Sequence, residues 1–391
     1  MNPRKPYARI IYNGRDISAD MAAYLLSVSI VDKTITDASK NESDELSIEL
    51  ENSSQVWISD WMPSRGDELE VEIGYEDEVY AFGKFEIDEI EYAGPPDTIS
   101  IRAVAAGISK QLRSKRSTAH EGKTLKEVAE KIAEFHGLTV EGEIEPIQIG
   151  RVTQDRMTDL GFLARLAEEY GYIFSVRGER IIFTQVYDIQ QAEPVTEIDR
   201  EDMISFRVKD SSAGTASSAA VNYHDPATAT DISFLMPAGD PSGFDFGTAD
   251  QINLSEAIRQ TTVTNDIVKE TVLGAVYKDV IAKTGLKPDQ IQIRKRVENK
   301  AQAEKVAKAA LHKANSRQIT MTTEVPGNPR LMAGANVNIT GLRKLSGKYH
   351  MEQVGHRIQR NGGYTCSIDM KKVGNLSDSS KQAPRSERII S

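Results

Sequence analysis

Apolar and polar residues alternate along much of the first hundred positions. Leu46, Ile48 and Leu50 are separated by Ser47 and Glu49. Leu69, Val71, Ile73 and Tyr75 are separated by Glu70, Glu72 and Gly74, and Ile99, Ile101 and Ala103 by Ser100 and Arg102. A period of two with acids on one face predicts half-buried antiparallel strands. Asn13-Gly14, following Ile10-Ile11-Tyr12, has the residues of a tight hairpin turn, and Ala93-Gly94-Pro95-Pro96-Asp97 is a second breaker. About six short strands in this stretch favour a barrel or sandwich.

The period changes at Thr124. Thr124 with Glu127 three residues later is a capping box, and Leu125, Val128, Ala129, Ile132 and Phe135 then share a helical face until Gly137. A second helix is predicted from Thr158, with Leu160, Leu163, Leu166, Ala167 and Tyr170 inward and Gly171 as its stop. Tyr172–Val176 and Arg180–Phe183 follow as a strand pair. After Pro194 strands return at Ile204–Val208 and Ser218–Tyr223. Residues 225–253 are rich in Pro, Gly, Asp and Thr and read as a long exposed excursion. Ala301–Ala314 is helix-prone, strands run on to Met370, and Leu376 onward has a disordered composition.

These patterns give a mainly β chain with α+β insertions: two related antiparallel β-barrels and a small α+β domain. The predicted divisions are a first barrel at 1–113, the α+β domain at 114–193, a second barrel at 194–373 carrying the 225–253 loop, and a tail at 374–391. The relation between the barrels comes from a repeat. Gly83-Lys84-Phe85 through Tyr92 resembles Gly347-Lys348-Tyr349 through His356, an offset of 264 residues. Gly66–Val71 matches Gly334–Ile339 at 268, and Ser100-Ile101 matches Ser367-Ile368 at 267. Three segments in one order at nearly one offset point to a duplicated domain.

Composition narrows the function. In 391 residues, 58 acids outnumber 48 Lys and Arg, for a net charge of −10. That argues against a general nucleic-acid or anionic-membrane binder, which needs positive charge to release counterions. One cysteine, Cys366, excludes an intramolecular disulfide and a multi-cysteine metal site. No apolar run approaches the roughly 18 residues of a membrane helix, and the start of the chain lacks the apolar run of a secretory signal. Synthesis in the cytoplasm is the natural expectation.

Nucleotide, hydrolase and zinc-protease motifs are missing. His350, Glu352 and His356 have even spacing and would share a strand face, but about 20 Å of extended chain separates the two histidines, too far for one ion unless the strand bends. Tyr223-His224-Asp225 could orient a base, with no nucleophile marked for it. Acids such as Glu68, Glu70 and Glu72 alternate as a solvated sheet face does, rather than converging as a glycosidase pair must. Cys366 reads as a small core residue. No catalytic, metal or cofactor site is expected, and no cofactor.

Several residues instead have the character of contact surfaces. Lys110, Arg113, Lys115 and Arg116 form either a solvated linker or a docking patch for an acidic neighbour. Trp57 and Trp61, the two tryptophans, are either a barrel plug or an interface anchor. Phe234, Leu235, Phe244 and Phe246 are apolar anchors within the 225–253 excursion.

Ser43–Leu50, Gly66–Val71, Thr158–Ala167 running on into Glu168-Glu169-Tyr170-Gly171-Tyr172, and Gly347–Ile358 with Gly363-Tyr364-Thr365 together resemble the phage late control gene D family. These are tail baseplate hubs of contractile phages and phage-like injection systems, similar to the N-terminal part of VgrG proteins. The resemblance covers about residues 4–373. It implies a homotrimer with two tube-like barrels per subunit, joining a hexameric tail tube to a separate trimeric spike among other baseplate proteins. It implies a place in the tail baseplate of the particle and carries no catalytic residues. A tail-associated cell-wall glycosidase and a glycan-binding β protein are the alternatives.

Overall fold

The alternating segments form strands and the helical-period segments form helices, giving a mainly antiparallel β fold with few helices. The computed structural model describes residues 4–34, 44–105, 114–177, 180–186, 188, 192–211, 216, 218–225, 230–237, 290–293, 297, 300–316 and 319–373. Their contacts divide the chain into two units: Met1–Asp210 with Ile319–Lys372, and Ser211–Gln318 with Val373–Ser391.

The first unit opens with β1 (Pro6–Tyr12), β2 (Arg15–Asp16), a short helix α1 (Ser18–Ala22), β3 (Leu25–Lys33), β4 (Glu45–Glu51), β5 (Glu68–Tyr75), β6 (Glu78–Ala93) and β7 (Thr98–Ala105). Asn13 and Gly14, at φ 47° and 79°, make the left-handed turn between β1 and β2 that this residue pair favours. Hydrogen bonding orders these strands β3-β4-β7-β6-β5-β1.

An α+β module follows: β8 (Lys115–Thr124), α2 (Leu125–Phe135), β9 (Thr139–Glu141), β10 (Gln148–Thr158), α3 (Asp159–Tyr170), β11 (Tyr172–Arg177) and β12 (Arg180–Gln185). The capping box at the start of α2 is made on both sides. Glu127 N–H donates to Thr124 Oγ1 at 3.2 Å, and Thr124 N–H donates to Glu127 Oε2 at 2.7 Å. Thr158 caps α3, and Gly171 ends it at φ 80°, where a side chain would be strained.

The chain then supplies β13 (Thr196–Asp199) and β14 (Ser205–Asp210), passes through the second unit, and returns as β18 (Ile319–Pro326), β19 (Asn336–Thr340), β20 (Gly347–Gln359) and β21 (Gly363–Lys372). The second unit holds β15 (Ser218–Asp225), β16 (Thr230–Pro237), β17 (Gln290–Ile293) and α4 (Lys300–Ser316). There β15 pairs antiparallel with β16 and parallel with β17. Ala303, Val306, Ala307 and Leu311 of α4 are buried, as are Ala219 and Val221 of β15. The segment read as an excursion thus contains a strand, Thr230–Pro237, whose alternation is masked in sequence by flanking Pro and Gly.

The order β14-β18-β21-β20-β19-β13 repeats β3-β4-β7-β6-β5-β1 strand for strand. Only the last pair differs in sense: β1 runs antiparallel to β5, β13 parallel to β19. The repeat extends to single hydrogen bonds. Gly66 N–H donates to Ile87 O at 2.8 Å and Ile87 N–H to Asp67 O at 2.9 Å; Gly334 N–H donates to Met351 O at 2.8 Å and Met351 N–H to Ala335 O at 2.9 Å. Gly66 and Gly334 share a left-handed backbone, φ 93° and 90°. A bulge falls between Ile87 and Glu89 in β6 and between Met351 and Gln353 in β20. The two halves join where β3 pairs with β20, from Gln353 opposite Lys33 to Gln359 opposite Ser27. One apolar cluster, including Ile30, Ile48, Phe85, Val337, Tyr349 and Ile368, fills both halves.

Candidate assembly interface

Of the aromatic pair, Trp57 is buried and Trp61 is 45% exposed. A short 3-10 turn at Val56–Ile58 carries Trp57, whose backbone N–H donates to Asn52 Oδ1 at 3.2 Å. The indoles meet edge to face at 5.4 Å between centroids, and Tyr24 packs edge-on against both. Beside them a cleft of about 320 Å³ is lined by Tyr12, Ile17, Met21, Met62 and both tryptophans. Trp61 and Met62, which line it, leave large apolar area in water, as does Ile58 on the same connection, and Arg15, Asp20 and Asp60 also line the cleft. One tryptophan therefore fills the core while the other lies at the surface.

The basic run is split. Lys110 and Arg113 lie outside the described residues, and Lys115 is exposed at the start of β8. Arg116 is drawn into the α+β module. Its Nε donates to Asp159 Oδ1 at 2.5 Å, and its guanidinium lies 4.6 Å over the Phe135 ring. Asp159 is fully buried and also meets His136 Nε2 at 2.6 Å and Gln154 Nε2 at 2.8 Å. As the first residue of α3 it sits where a helix favours an anion. Phe234 and Leu235 lie on β16 opposite Val221 and Ala220. Phe244 and Phe246 fall outside the described residues, as does the tail from 374.

The bulge in β20 separates the histidines expected on one face. Tyr349 and Met351 belong to the core before it, and Val354 and Ile358 after it, so His356 is on the core face while His350 is on the other. His350 Nδ1 meets Asn336 Oδ1 at 3.1 Å, and Glu352 pairs with Lys371 at 3.0 Å. Among the described residues no His, Cys, Asp and Glu cluster is arranged to hold a metal. His356 is sealed between Leu331 O, which its Nε2 meets at 2.9 Å, and the Tyr364 hydroxyl, 2.8 Å from Nδ1. Cys366 Sγ lies 3.3 Å from the same Nδ1.

A cysteine beside a histidine invites a nucleophilic reading, and the electrostatics point the other way. Burial pushes the Cys366 thiol up to about 11 and the His356 imidazole down to about 4. Both are neutral at pH 7, whereas a reactive pair needs a thiolate beside an imidazolium. Both are also enclosed by core.

Contacts between residues far apart in the chain join the two halves and brace the first of them. Arg330 Nη2 donates to Glu78 Oε1 at 2.8 Å, and Arg4 Nη2 to Glu78 Oε2 at 3.1 Å; these guanidinium bonds, Arg330 first, hold the Glu78 carboxyl below its ordinary range. Tyr75 donates its hydroxyl proton to Gly327 O at 2.8 Å. On the solvent face Lys84 bridges Glu68 at 2.7 Å and Glu70 at 3.1 Å.

No family model matches the chain. Over 182 residues it is 33% identical to the probable baseplate hub protein of Escherichia phage P2, which covers 46% of this chain and 45% of that protein. The chain is similar to phage baseplate hub proteins. The probable baseplate hub protein of Escherichia phage 186 matches at 30% over 181 residues, covering 46% of this chain and 44% of its own length. The chain spans about half the length of these curated relatives. In fold it is similar to the crystal structure of the tail protein from Neisseria meningitidis MC58, with TM-score 0.62 and 11% identity over 94% of this chain and 97% of that one.

Proposed function

We propose that this chain is a structural hub of a contractile phage tail or a phage-like injection system. It acts as a homotrimer in the baseplate, between a hexameric tail tube and a trimeric spike. The observation that carries this reading is the duplication: the same strand order, left-handed glycines and bulges occur twice. Three chains would then present six similar halves to a six-fold ring and three equivalent chains to a three-fold one. A closed ring needs head-to-tail contacts whose rotation closes, and duplicated halves supply such contacts without a further adaptor. The similarity to probable hub proteins supports the same reading.

The role is mechanical rather than enzymatic. His356, Cys366 and Asp159 are committed to internal contacts in the fold. The connection carrying the exposed Ile58, Trp61 and Met62 is the surface best suited to a partner subunit, since exposed large apolar residues mark association.

Native mass measurement of the chain alone, and with its tube and spike proteins, tests the reading. A trimer in the presence of spike or tube is expected. A stable dimer in both samples, or a monomer that never trimerises, would overturn it. Clearing of a peptidoglycan suspension by the purified chain would overturn the non-enzymatic part.

A further inference from the structure

Among the strand edges of the first unit's large sheet that have no strand beside them in the described residues, two occupy matched positions of the duplication. One belongs to β14, which pairs only with β18. The other is the outer side of β6 past Ile87, since β5 covers Glu78–Glu86 and β7 occupies the opposite side as far as Ala93. Their counterparts in the duplication are both occupied. β3, the counterpart of β14, is paired along Ser27–Lys33, and its partner is Gln353–Gln359 of β20, the counterpart of that stretch of β6. The repeated design therefore makes this junction once, within the chain, and holds the two sides of a second one apart.

We propose that β14 of one copy adds antiparallel to the outer edge of β6, at Glu89–Ala93, in a second copy. The proposal rests on the self-association argued above and supplies its contact. The register follows from the matched ladders. Ile30 faces Leu46, which faces Ala103; Val208 faces Met321, which faces Met370. Ala103 and Met370 are themselves equivalent, because they face Ile87 and Met351 before the two bulges. His356, the counterpart of Tyr92, lies opposite Ile30. Tyr92 then lies opposite Val208 of the other copy, and Glu91 opposite Lys209.

The side chains fit this pairing. At the existing junction His356, Ile358, Val28 and Ile30 are all buried. Tyr92 and Phe206, at the two open edges, are large rings still 39% and 37% exposed, even though the Arg200 guanidinium lies 4.7 Å over the Phe206 ring. On the other side, Glu89 and Glu91 of β6 would meet Arg207 and Lys209 of β14. Opposite charges across or diagonal to one another favour pairing. Charged residues on an edge strand also deter indiscriminate pairing, and here the chain itself carries the complementary acids. Within one copy β18, β21, β20, β3, β4 and β7 separate β14 from β6 in the sheet, so the occupant is a second copy. The contact is head to tail, as ring closure requires.

Disulfide trapping in the full-length chain tests it, with buried Cys366 left in place. Facing residues of antiparallel strands have Cα atoms about 4.5–5.5 Å apart, within disulfide reach. Tyr92→Cys and Val208→Cys chains, mixed with spike and tube proteins and oxidised, should link to each other, and neither should link to itself. Ala93→Cys with Val208→Cys shifts the register by one residue to the opposite face and should link at least about tenfold less. Glu91→Lys should weaken association about two- to fivefold, and Lys209→Glu in the same chain should restore it. A trimer by mass with no 92–208 link, or linking of Tyr92→Cys to itself, overturns this junction and leaves the hub reading intact. A chain that never assembles overturns both.

Discussion

His356 stands where the two halves meet, and its protonation should loosen that seam. Burial holds its imidazole down to about 4 in the folded chain, against about 6.5 when unfolded. The unfolded chain therefore takes up the proton first as pH falls. The stabilisation is complete above about pH 6.5 and is lost progressively toward pH 4. A shift of this size corresponds to about 3 kcal/mol between pH 7 and pH 4, a large part of the stability of an ordinary domain. Protonation would also disrupt the bond to Tyr364 at Nδ1, which accepts while Nε2 donates to Leu331 O. His120, likewise lowered by burial, works in the same direction, so the comparison is against His356→Gln at each pH. Trp57 and Trp61 both belong to the first unit, so their fluorescence in urea titrations reports the unit that contains His356. Wild type should lose about 3 kcal/mol more than the variant between pH 7 and pH 4. Parallel pH profiles, within about 0.5 kcal/mol, would refute the argument that this buried imidazole is held neutral.

Asp159→Ala should cost about 3 kcal/mol, the low end for breaking a buried ion pair because Arg116 can partly reach water; a thermal melt followed by circular dichroism checks it. Gly327→Ala would place a Cβ 2.1 Å from the Tyr364 ring, so about 1–3 kcal/mol of overpacking should appear in urea titration. The acids lining β5 and β6, with a net charge of −10, should keep the purified chain from binding DNA tightly; anisotropy titrations giving strong, salt-sensitive binding would contradict this.

What was legible in the sequence was local and periodic. The alternating runs became β4, β5 and β7, the capping box and Gly171 bound their helices, and a degenerate repeat proved to be a duplicated sheet. Properties set by distant partners were not legible. Arg116 sits in a run of positive charge that reads as surface, and only folding brings Asp159 to it from 43 residues away. Glu78 and Arg330 are 252 residues apart. The bulge in β20 adds one residue that no composition rule marks, and it sends His350 and His356 to opposite faces despite even spacing. Thr230–Pro237 was hidden for a different reason, because Pro and Gly punctuation outweighed a short alternating run.

The place where the second unit enters the first has a consequence for how such chains can be rebuilt. Asp210 and Ile319 face each other across β14 and β18, so the host strands part and rejoin within about 5 Å. Anything whose own two ends lie that close can be carried there without disturbing the register on either side, much as exposed hairpin tips accept grafts. The first half has the equivalent opening, where Val31 faces Glu45 across β3 and β4, and there the chain spends only a short connection. A compact passenger domain could be housed at that opening, and a chain so modified would carry two cargoes on one scaffold, one per half.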